Sequence, residues 1–176
     1  QTDVKVQKIE IRHVGPPAVS DELVKANIRV KVGDPYSKAL TDDDIRSLRA
    51  TGYFYNIRVA AEVLPDGVAI TYVVQGKPTL TEVRFEGNKK YSREKLLKKV
   101  TSKIGEPLDE YKLFSDAKEI QKHYEKAGYQ KTEVRYVPII TESTGRGVAT
   151  FEIKETPKVR IERVEFPGAS AFKQKR

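Results

Sequence analysis

One structural unit is repeated along this chain, and the repeat constrains the fold more than any single motif does. Three pairs of short motifs recur in the same order: GDP at 33–35 and GEP at 105–107, GY at 52–53 and 128–129, and GVA at 67–69 and 147–149. The offset within a pair grows from 72 to 76 to 80 residues, which indicates a duplication with small insertions in the second copy. A period of about 75 residues is too long for a stacked solenoid repeat, so each copy is expected to be a small domain.

Within each copy the sequence predicts the element order β-α-α-β-β. Alternating apolar and polar residues indicate a first strand at KIEI (8–11) and again at EVRF (82–85). Ser20 and Ser92 are suitable caps for a first helix, because a serine hydroxyl can accept a free backbone N–H at a helix N-terminus. The last two strands are expected to form a hairpin, which in the first copy turns at LPDG (64–67).

The second helix of the first copy has recognisable start and stop signals. Thr41 and Asp44 resemble a capping box, so we predict that this helix begins at Thr41. The acidic residues 42–44 would then complement the helix dipole in the first turn, in preference to forming a metal site. The helix should end at Gly52, because glycine tolerates the left-handed conformation of a C-cap.

Aromatic residues follow the glycine that ends each second helix. Tyr53 in the first copy and Tyr129 in the second are expected to fold back on the helix and close the core. Phe54 and Tyr55 continue the aromatic run, and strand alternation would bury one or two of the three rings. If Phe54 is exposed instead, it becomes a candidate contact for a neighbouring unit or a partner.

The repeats divide the chain into two complete units, at residues 1–78 and 79–158, and the start of a third at residues 159–176. The third opens with RVEF (163–166), which has the pattern of a first strand. The chain begins without Met and without an apolar signal segment, so we expect a processed or excised piece of a longer tandem array.

The net charge of +8 is unevenly distributed, and its densest basic run lies early in the second unit. A solvated helix face is the default interpretation of such a run, while docking of an acidic partner or of anionic lipid head groups is the functional one. RNA binding is a further alternative, although the sequence lacks a GxxG loop and paired strand aromatics. The possible basic docking face consists of Lys89, Lys90, Arg93, Lys95, Lys98 and Lys99.

The sequence predicts no enzyme, cofactor or metal site. The chain has no Cys, which excludes thiol nucleophiles and Cys-ligated metals. Its two histidines, His13 and His123, fall in different units, so surface or packing roles are expected for both. Phosphate-binding glycine loops and nucleophile motifs are missing from the sequence as well.

The repeated order of these motifs resembles the POTRA domains of the BamA family of bacterial outer-membrane protein assembly factors. The resemblance covers nearly the whole chain and is carried by TGYFYNIRV (51–59), EVRFEGNKKYSREKL (82–96) and YEKAGYQKTEV (124–134). The first copy departs from the pattern, because it lacks the Gly-Asn turn found at residues 87–88. The motif order is most similar to the first two POTRA units and the start of a third.

This resemblance implies an α+β fold of tandem β-α-α-β-β domains, each a three-stranded mixed sheet with two helices packed on one face. It also implies the periplasmic arm of an assembly factor, on the periplasmic side of the bacterial outer membrane. Expected partners are unfolded outer-membrane proteins, accessory assembly lipoproteins, periplasmic chaperones and the protein's own C-terminal membrane barrel; nucleic acid is not expected. The POTRA arm of a related translocation or secretion protein is the alternative.

In the sheets implied by the resemblance, the second strand of each unit lies at an edge. An exposed edge offers unpaired N–H and C=O groups to which a client strand can add. One such pairing is weak, but tandem units raise the effective concentration of later sites. We therefore predict that clients or partners bind Ile57, Arg58, Val59, Ala60, Ala61, Glu62 and Val63 in the first unit, and Thr132, Glu133, Val134, Arg135, Tyr136 and Val137 in the second.

Overall fold

The computed structural model describes residues 4–165 and residue 167. The first unit consists of β1 (Val6–Val14), α1 (Asp21–Ala26), α2 (Lys38–Ala50), β2 (Phe54–Leu64) and β3 (Gly67–Gly76). The second consists of β4 (Thr79–Glu86), α3 (Arg93–Leu97), α4 (Glu110–Lys126), β5 (Glu133–Thr141) and β6 (Arg146–Lys154). The predicted order β-α-α-β-β is confirmed in both units. Over the part of the chain described, no helix has the length and apolarity required to cross a membrane.

Each unit contains one three-stranded mixed sheet. The strand orders are β1-β3-β2 and β4-β6-β5, so the last strand of each unit is central. The first strand pairs with it in parallel and the second strand in antiparallel fashion. The second strand therefore lies at a sheet edge in both units, as the resemblance implied.

A separate hydrophobic core lies under each sheet. In the first unit, alternate residues of β3, Ile70, Tyr72 and Val74, point into the core against Leu48 of α2. In the second unit, the corresponding positions of β6 are Ala149, Phe151 and Ile153, which pack in one cluster with buried residues of α4. The predicted serine caps are present, since Ser20 and Ser92 accept hydrogen bonds from the backbone N–H of Leu23 and Lys95.

The predicted capping box at Thr41 and Asp44 is wrong. Helix α2 begins at Lys38 after the N-cap residue Ser37, which places Asp44 beyond the first turn. The carboxylate of Asp44 is completely buried and accepts hydrogen bonds from the Arg29 and Val30 backbone N–H groups, at 2.7 and 3.3 Å. Asp44 thus fixes the loop between the two helices. In the sequence alone, an aspartate that caps a helix cannot be distinguished here from an aspartate that binds the preceding loop.

The second unit contains an equivalent buried carboxylate that the sequence interpretation missed. Asp116 of α4 lies 72 residues after Asp44 and is 1% exposed. It accepts hydrogen bonds from the backbone N–H and the hydroxyl group of both Thr101 and Ser102, at distances of 2.7–3.0 Å. The offset of 72 residues, shared with the GDP and GEP motifs, was the signal that could have revealed it.

The aromatic residues after α2 are arranged differently from the prediction. Tyr53 is 49% exposed and does not close the core, whereas Phe54 is buried. The pairing of β2 with β3 is irregular between Phe54 and Asn56, and this irregularity decides which ring enters the core. Tyr129 in the second unit agrees with the prediction better, because its ring packs edge-on against the buried Tyr124 at 6.1 Å.

The predicted first strand of a third unit is not formed where the structure describes it. Residues 159–165 have no helix or strand, and Phe166 and residues 168–176 lie outside the described residues. At residue 159 the chain is still in contact with the second unit, because the Val159 N–H donates to the Gly128 carbonyl oxygen at 2.8 Å.

Candidate functional site

The outer edge of β2 carries backbone groups that β3 does not bind. The N–H of Val68 donates to the carbonyl oxygen of Lys5, at 2.9 Å, and therefore points away from β2. Val68 faces Val63 of β2, so this pair is one of the non-hydrogen-bonded pairs of the antiparallel ladder. In such pairs the N–H and C=O groups of both residues point outward. Because the pattern repeats every two residues, the outward-facing positions on β2 are Ile57, Val59, Ala61 and Val63.

The side chains of these four residues share one face of the strand, but the helices cover only the first part of it. Ile57 is buried and Val59 is half-buried, whereas Ala61 is exposed and Val63 is 84% exposed. Arg58, Ala60 and Glu62 complete the predicted segment; their backbone groups point toward β3, and Arg58, Ala60 and Glu62 are exposed. An added strand would therefore meet free backbone groups and an uncovered apolar side chain together.

The corresponding edge of the second unit is interrupted by a proline. Strand β5 contains Glu133, Val134, Arg135, Tyr136 and Val137, as predicted, and continues to Thr141. Thr132 precedes the strand and is buried, which corrects its assignment to the edge.

Pro138 occupies the position of Ala61 in the first unit. Ala61 pairs with Ile70 and Pro138 with Ala149, the equivalent core residue of the central strand. Proline has no N–H, and in a sheet it is tolerated where its nitrogen faces away from the neighbouring strand. Val134 and Tyr136 thus have outward N–H groups, but the row of donors is broken at Pro138. The sequence prediction ended at Val137 and missed this break.

The opposite edge of each sheet is partly covered by the loop that contains the GDP or GEP motif. In the first unit, the Val6 N–H donates to Asp34 and the Gly33 N–H donates to Val6, at 2.9 and 2.8 Å. In the second unit, Leu80 makes the same two bonds with residues 105–106, at 2.9 and 2.7 Å. These loops occupy the beginning of β1 and β4, which leaves β2 as the more accessible strand of its sheet.

The two units contact each other where the β5–β6 turn meets the end of the first sheet. A side-chain Cβ placed on Gly15 would lie 2.1 Å from the Glu142 carbonyl oxygen, and one on Gly145 would lie 3.3 Å from Pro16. Tyr55 faces the second unit at a different place, where it lines a cleft together with residues 106–112. Burial, and then the charge of Glu110, raise the pKa of its hydroxyl group. Tyr55, and not the buried Phe54, is therefore the aromatic residue available to the neighbouring unit.

The predicted basic docking face is not one continuous patch. Arg93 is committed to the fold, since its guanidinium donates to the Val83 carbonyl oxygen at 3.1 Å. Lys95, Lys98 and Lys99 line a cleft beside His123. Lys89 and Lys90 lie in the loop before α3, where the Lys90 ammonium group stands 5.7 Å from the centre of the Tyr129 ring.

Comparison with known proteins identifies both units. Residues 4–77 and 78–156 match the POTRA family, described as "surface antigen variable number repeat". The outer membrane protein assembly factor BamA of Nitratidesulfovibrio vulgaris is 24% identical over 166 residues, which cover 94% of this chain and 20% of that protein. This chain therefore spans about a fifth of the length of that relative.

Two solved structures share the arrangement of the two units. POTRA1-2 of the periplasmic domain of Omp85 from Anabaena is 25% identical with a TM-score of 0.57, covering 88% of this chain and 96% of that one. The N-terminal domain of Omp85 from Thermosynechococcus elongatus is 26% identical with a TM-score of 0.55, covering 85% of this chain and 62% of that one.

Proposed function

Because this chain belongs to the POTRA family over both of its units, we propose that it binds unfolded outer-membrane proteins as added strands along β2. It lies on the periplasmic side of the bacterial outer membrane, as the Omp85 and BamA relatives do. In this proposal it is the periplasmic arm of an assembly or translocation factor. Accessory lipoproteins, periplasmic chaperones and a C-terminal membrane barrel are the further partners proposed from the same relatives.

The single observation that carries the proposal is the uninterrupted outer edge of β2. Four residues there, 57, 59, 61 and 63, offer an N–H and a C=O group each to an incoming strand. Recognition through backbone groups makes little demand on sequence, which suits a protein that handles many clients. The exposed Val63 adds a preference for a client with an apolar side chain at the facing position.

The energetics of this edge favour transient binding. A backbone hydrogen bond contributes about 0.5–1.5 kcal/mol net, so complete pairing of the edge would contribute roughly 4–12 kcal/mol. Association costs an estimated 4–15 kcal/mol in translational and rotational entropy, and ordering an unfolded client costs conformational entropy in addition. The two terms nearly cancel, and a client strand would be held weakly and released readily.

The substitution Ala61→Pro tests the proposal directly. It removes one outward N–H and leaves the ladder with β3 intact, because β5 already tolerates proline at the equivalent position. We expect Ala61→Pro to reduce photocrosslinking of an unfolded outer-membrane protein to probes along β2 by about tenfold. Circular dichroism and the midpoint of thermal unfolding should change little.

The matched control is Ala61→Val, which adds side-chain volume at the same site and keeps the N–H group. Crosslinking should persist in this variant. Equal crosslinking in the proline variant and the parent, with both folded, would contradict strand addition at β2.

A further inference from the structure

A cleft in the second unit is lined by basic residues that the edge-strand function does not use. It has a volume of about 440 Å³ and lies between α4 and residues 92–99. Three lysines, Lys95, Lys98 and Lys99, line it together with His123 of α4. Lys126, on the same helix, is close enough for its charge to lower the pKa of His123.

The positive charge of this cleft is only partly balanced by neighbouring carboxylates. Over residues 4–165 and 167, none of these four lysines forms a salt bridge. The hydrogen bond from Lys122, and then the charges of Lys122, Lys126 and Lys99, lower the pKa of Glu119, but that carboxylate is paired with Lys122. Glu94 also lines the cleft, and hydrogen bonds from its own backbone N–H and from Ser92 lower its pKa, so it contributes one negative charge against those of the lysines. Concentrated like charges repel each other, so a bound anion would relieve an unfavourable interaction.

Two aromatic rings hold the cleft in shape. The ring of Tyr91 lies 4.5 Å from that of His123, measured between centroids, and the Lys95 ammonium group stands 4.6 Å from the centre of the Tyr91 ring. Nε2 of His123 is buried and has no hydrogen-bond partner among the described residues. The His123 ring therefore forms part of the wall of the cleft, packed against Tyr91.

We propose that this cleft binds the phosphate group of an anionic membrane lipid, with Lys95, Lys98 and Lys99 as its cationic ligands and His123 beside them. Lysine ammonium groups are suited to phosphate as compact point charges. The volume is in the range of small-ligand sites.

A lipid headgroup fits this cleft better than a soluble phosphate compound does. The lysines are exposed and the cleft is open to the surface, so a headgroup could enter while its acyl chains remain in the bilayer. Lys89 and Lys90 are exposed in the loop before α3, outside the cleft, and their charges would add to the attraction of an anionic bilayer. This binding would hold the second unit against the membrane and leave β2 of the first unit free for strands.

Co-sedimentation of the whole chain with lipid vesicles tests the proposal. The chain should bind vesicles that contain phosphatidylglycerol in phosphatidylcholine, and should bind pure phosphatidylcholine much more weakly. The triple variant Lys95→Gln, Lys98→Gln and Lys99→Gln should bind about 100-fold more weakly, at roughly fivefold per lysine.

A matched triple variant loses the same charge on the first unit, at Lys5, Lys25 and Lys31, and should bind almost as well as the parent. An equal loss in the two triple variants would show attraction by net charge alone and overturn the site. Circular dichroism confirms that each variant is folded. Ala61→Pro should leave vesicle binding unchanged, so the failure of this proposal is distinguishable from the failure of strand binding.

A titration with inorganic phosphate, followed through the ring signals of His123 by NMR, separates the sources of the phosphate. Shifts of His123 together with vesicle binding support the lipid site. Shifts without vesicle binding overturn the lipid assignment in favour of a soluble phosphate. Binding of polyglutamate in preference to vesicles overturns it in favour of an acidic protein partner.

Discussion

The hydroxyl group of Tyr72 donates a hydrogen bond to Oδ2 of Asp44 across 2.6 Å in the core of the first unit. Burial, and then this bond, raise the pKa of the Tyr72 hydroxyl. In the second unit Phe151 takes the place of Tyr72 and has no hydroxyl, while Asp116 is bound by the hydroxyl groups of Thr101 and Ser102. The two units therefore satisfy the same buried carboxylate with different donors.

Tyr72→Phe should destabilise the first unit. It leaves the buried Asp44 carboxylate with two backbone donors only, and a lost hydrogen bond to a charged group costs about 1.5–3 kcal/mol. Hydrogen exchange of core amides, read separately in each unit, should show this loss of unfolding free energy in the first unit alone. Adding Arg29→Thr should restore about 1 kcal/mol, because it recreates the donor that Thr101 supplies to Asp116. Unchanged exchange in Tyr72→Phe would refute this role for the hydroxyl.

Pro138→Ala should open the edge of the second unit to strand addition. The substitution supplies the N–H that β5 lacks and makes the row of donors as complete as that of β2. We expect crosslinking of an unfolded client to probes along β5 to increase severalfold. The control is Ala61→Pro with the same probes along β5. Crosslinking to those probes should not increase in this variant, because the substitution alters only the first unit. If Pro138→Ala gave no increase, the proline could not be what limits binding at β5.

Gly15→Ala should weaken the contact between the two units. Gly15 has φ of +70°, and a Cβ there would lie 2.1 Å from the Glu142 carbonyl oxygen. Small-angle scattering should show a broader distribution of shapes, while hydrogen exchange within both cores remains similar. The control is Gly33→Ala, which has the same kind of backbone strain with no atom within 4 Å of the new Cβ. A similar broadening in both variants would attribute the effect to strain instead of the contact.

His123 should make the stability of the second unit depend on pH. Burial, followed by the charges of Lys99, Lys95 and Lys126, lowers the pKa of its imidazole below the ordinary value of 6.5. A lowered folded-state pKa means that the unfolded chain takes up the proton more readily. Stability is therefore complete above about pH 6.5 and is lost as the pH falls through the folded-state pKa.

The comparison with His123→Phe isolates this effect, because the variant keeps a ring beside Tyr91 and cannot be protonated. In a buffer without phosphate, the parent should lose more unfolding free energy than the variant between about pH 7.5 and about pH 5. Urea denaturation at the two pH values measures the difference. Parallel losses in both proteins would assign the pH dependence to other groups.

The sequence was sufficient for the order of elements, because alternation, caps and glycine stops are local signals. The position of β2 at an edge came from the resemblance to the POTRA family, since strand order depends on pairing between distant residues. The same locality explains the errors. Asp44 fits a capping box by spacing, and only the loop at residues 29–30 reveals its actual partners. Likewise, the irregular pairing after Phe54 depends on β3, so the position of Tyr53 after the helix-ending glycine was not enough to identify the ring that enters the core.

The properties of the candidate sites that sequence reasoning missed depend on residues far apart in the chain. Which groups of β2 point outward follows from the bond between Val68 and Lys5, which are 63 positions apart. The cleft depends on the contact between Tyr91 and His123. Pro138 is the exception, since it is visible in the sequence and needed only a longer predicted strand.

If strands add as proposed, the proline in β5 also limits how many of them one chain can bind. The duplication copied the fold without copying the open edge, so a pair of units would accept one added strand where two identical units would accept two. If two chains paired their β2 strands, they would form a closed dimer in which neither β2 edge has free backbone groups left. Further sheet-to-sheet growth would have to start at β5, which Pro138 interrupts, or at β1 and β4, which loops shorten.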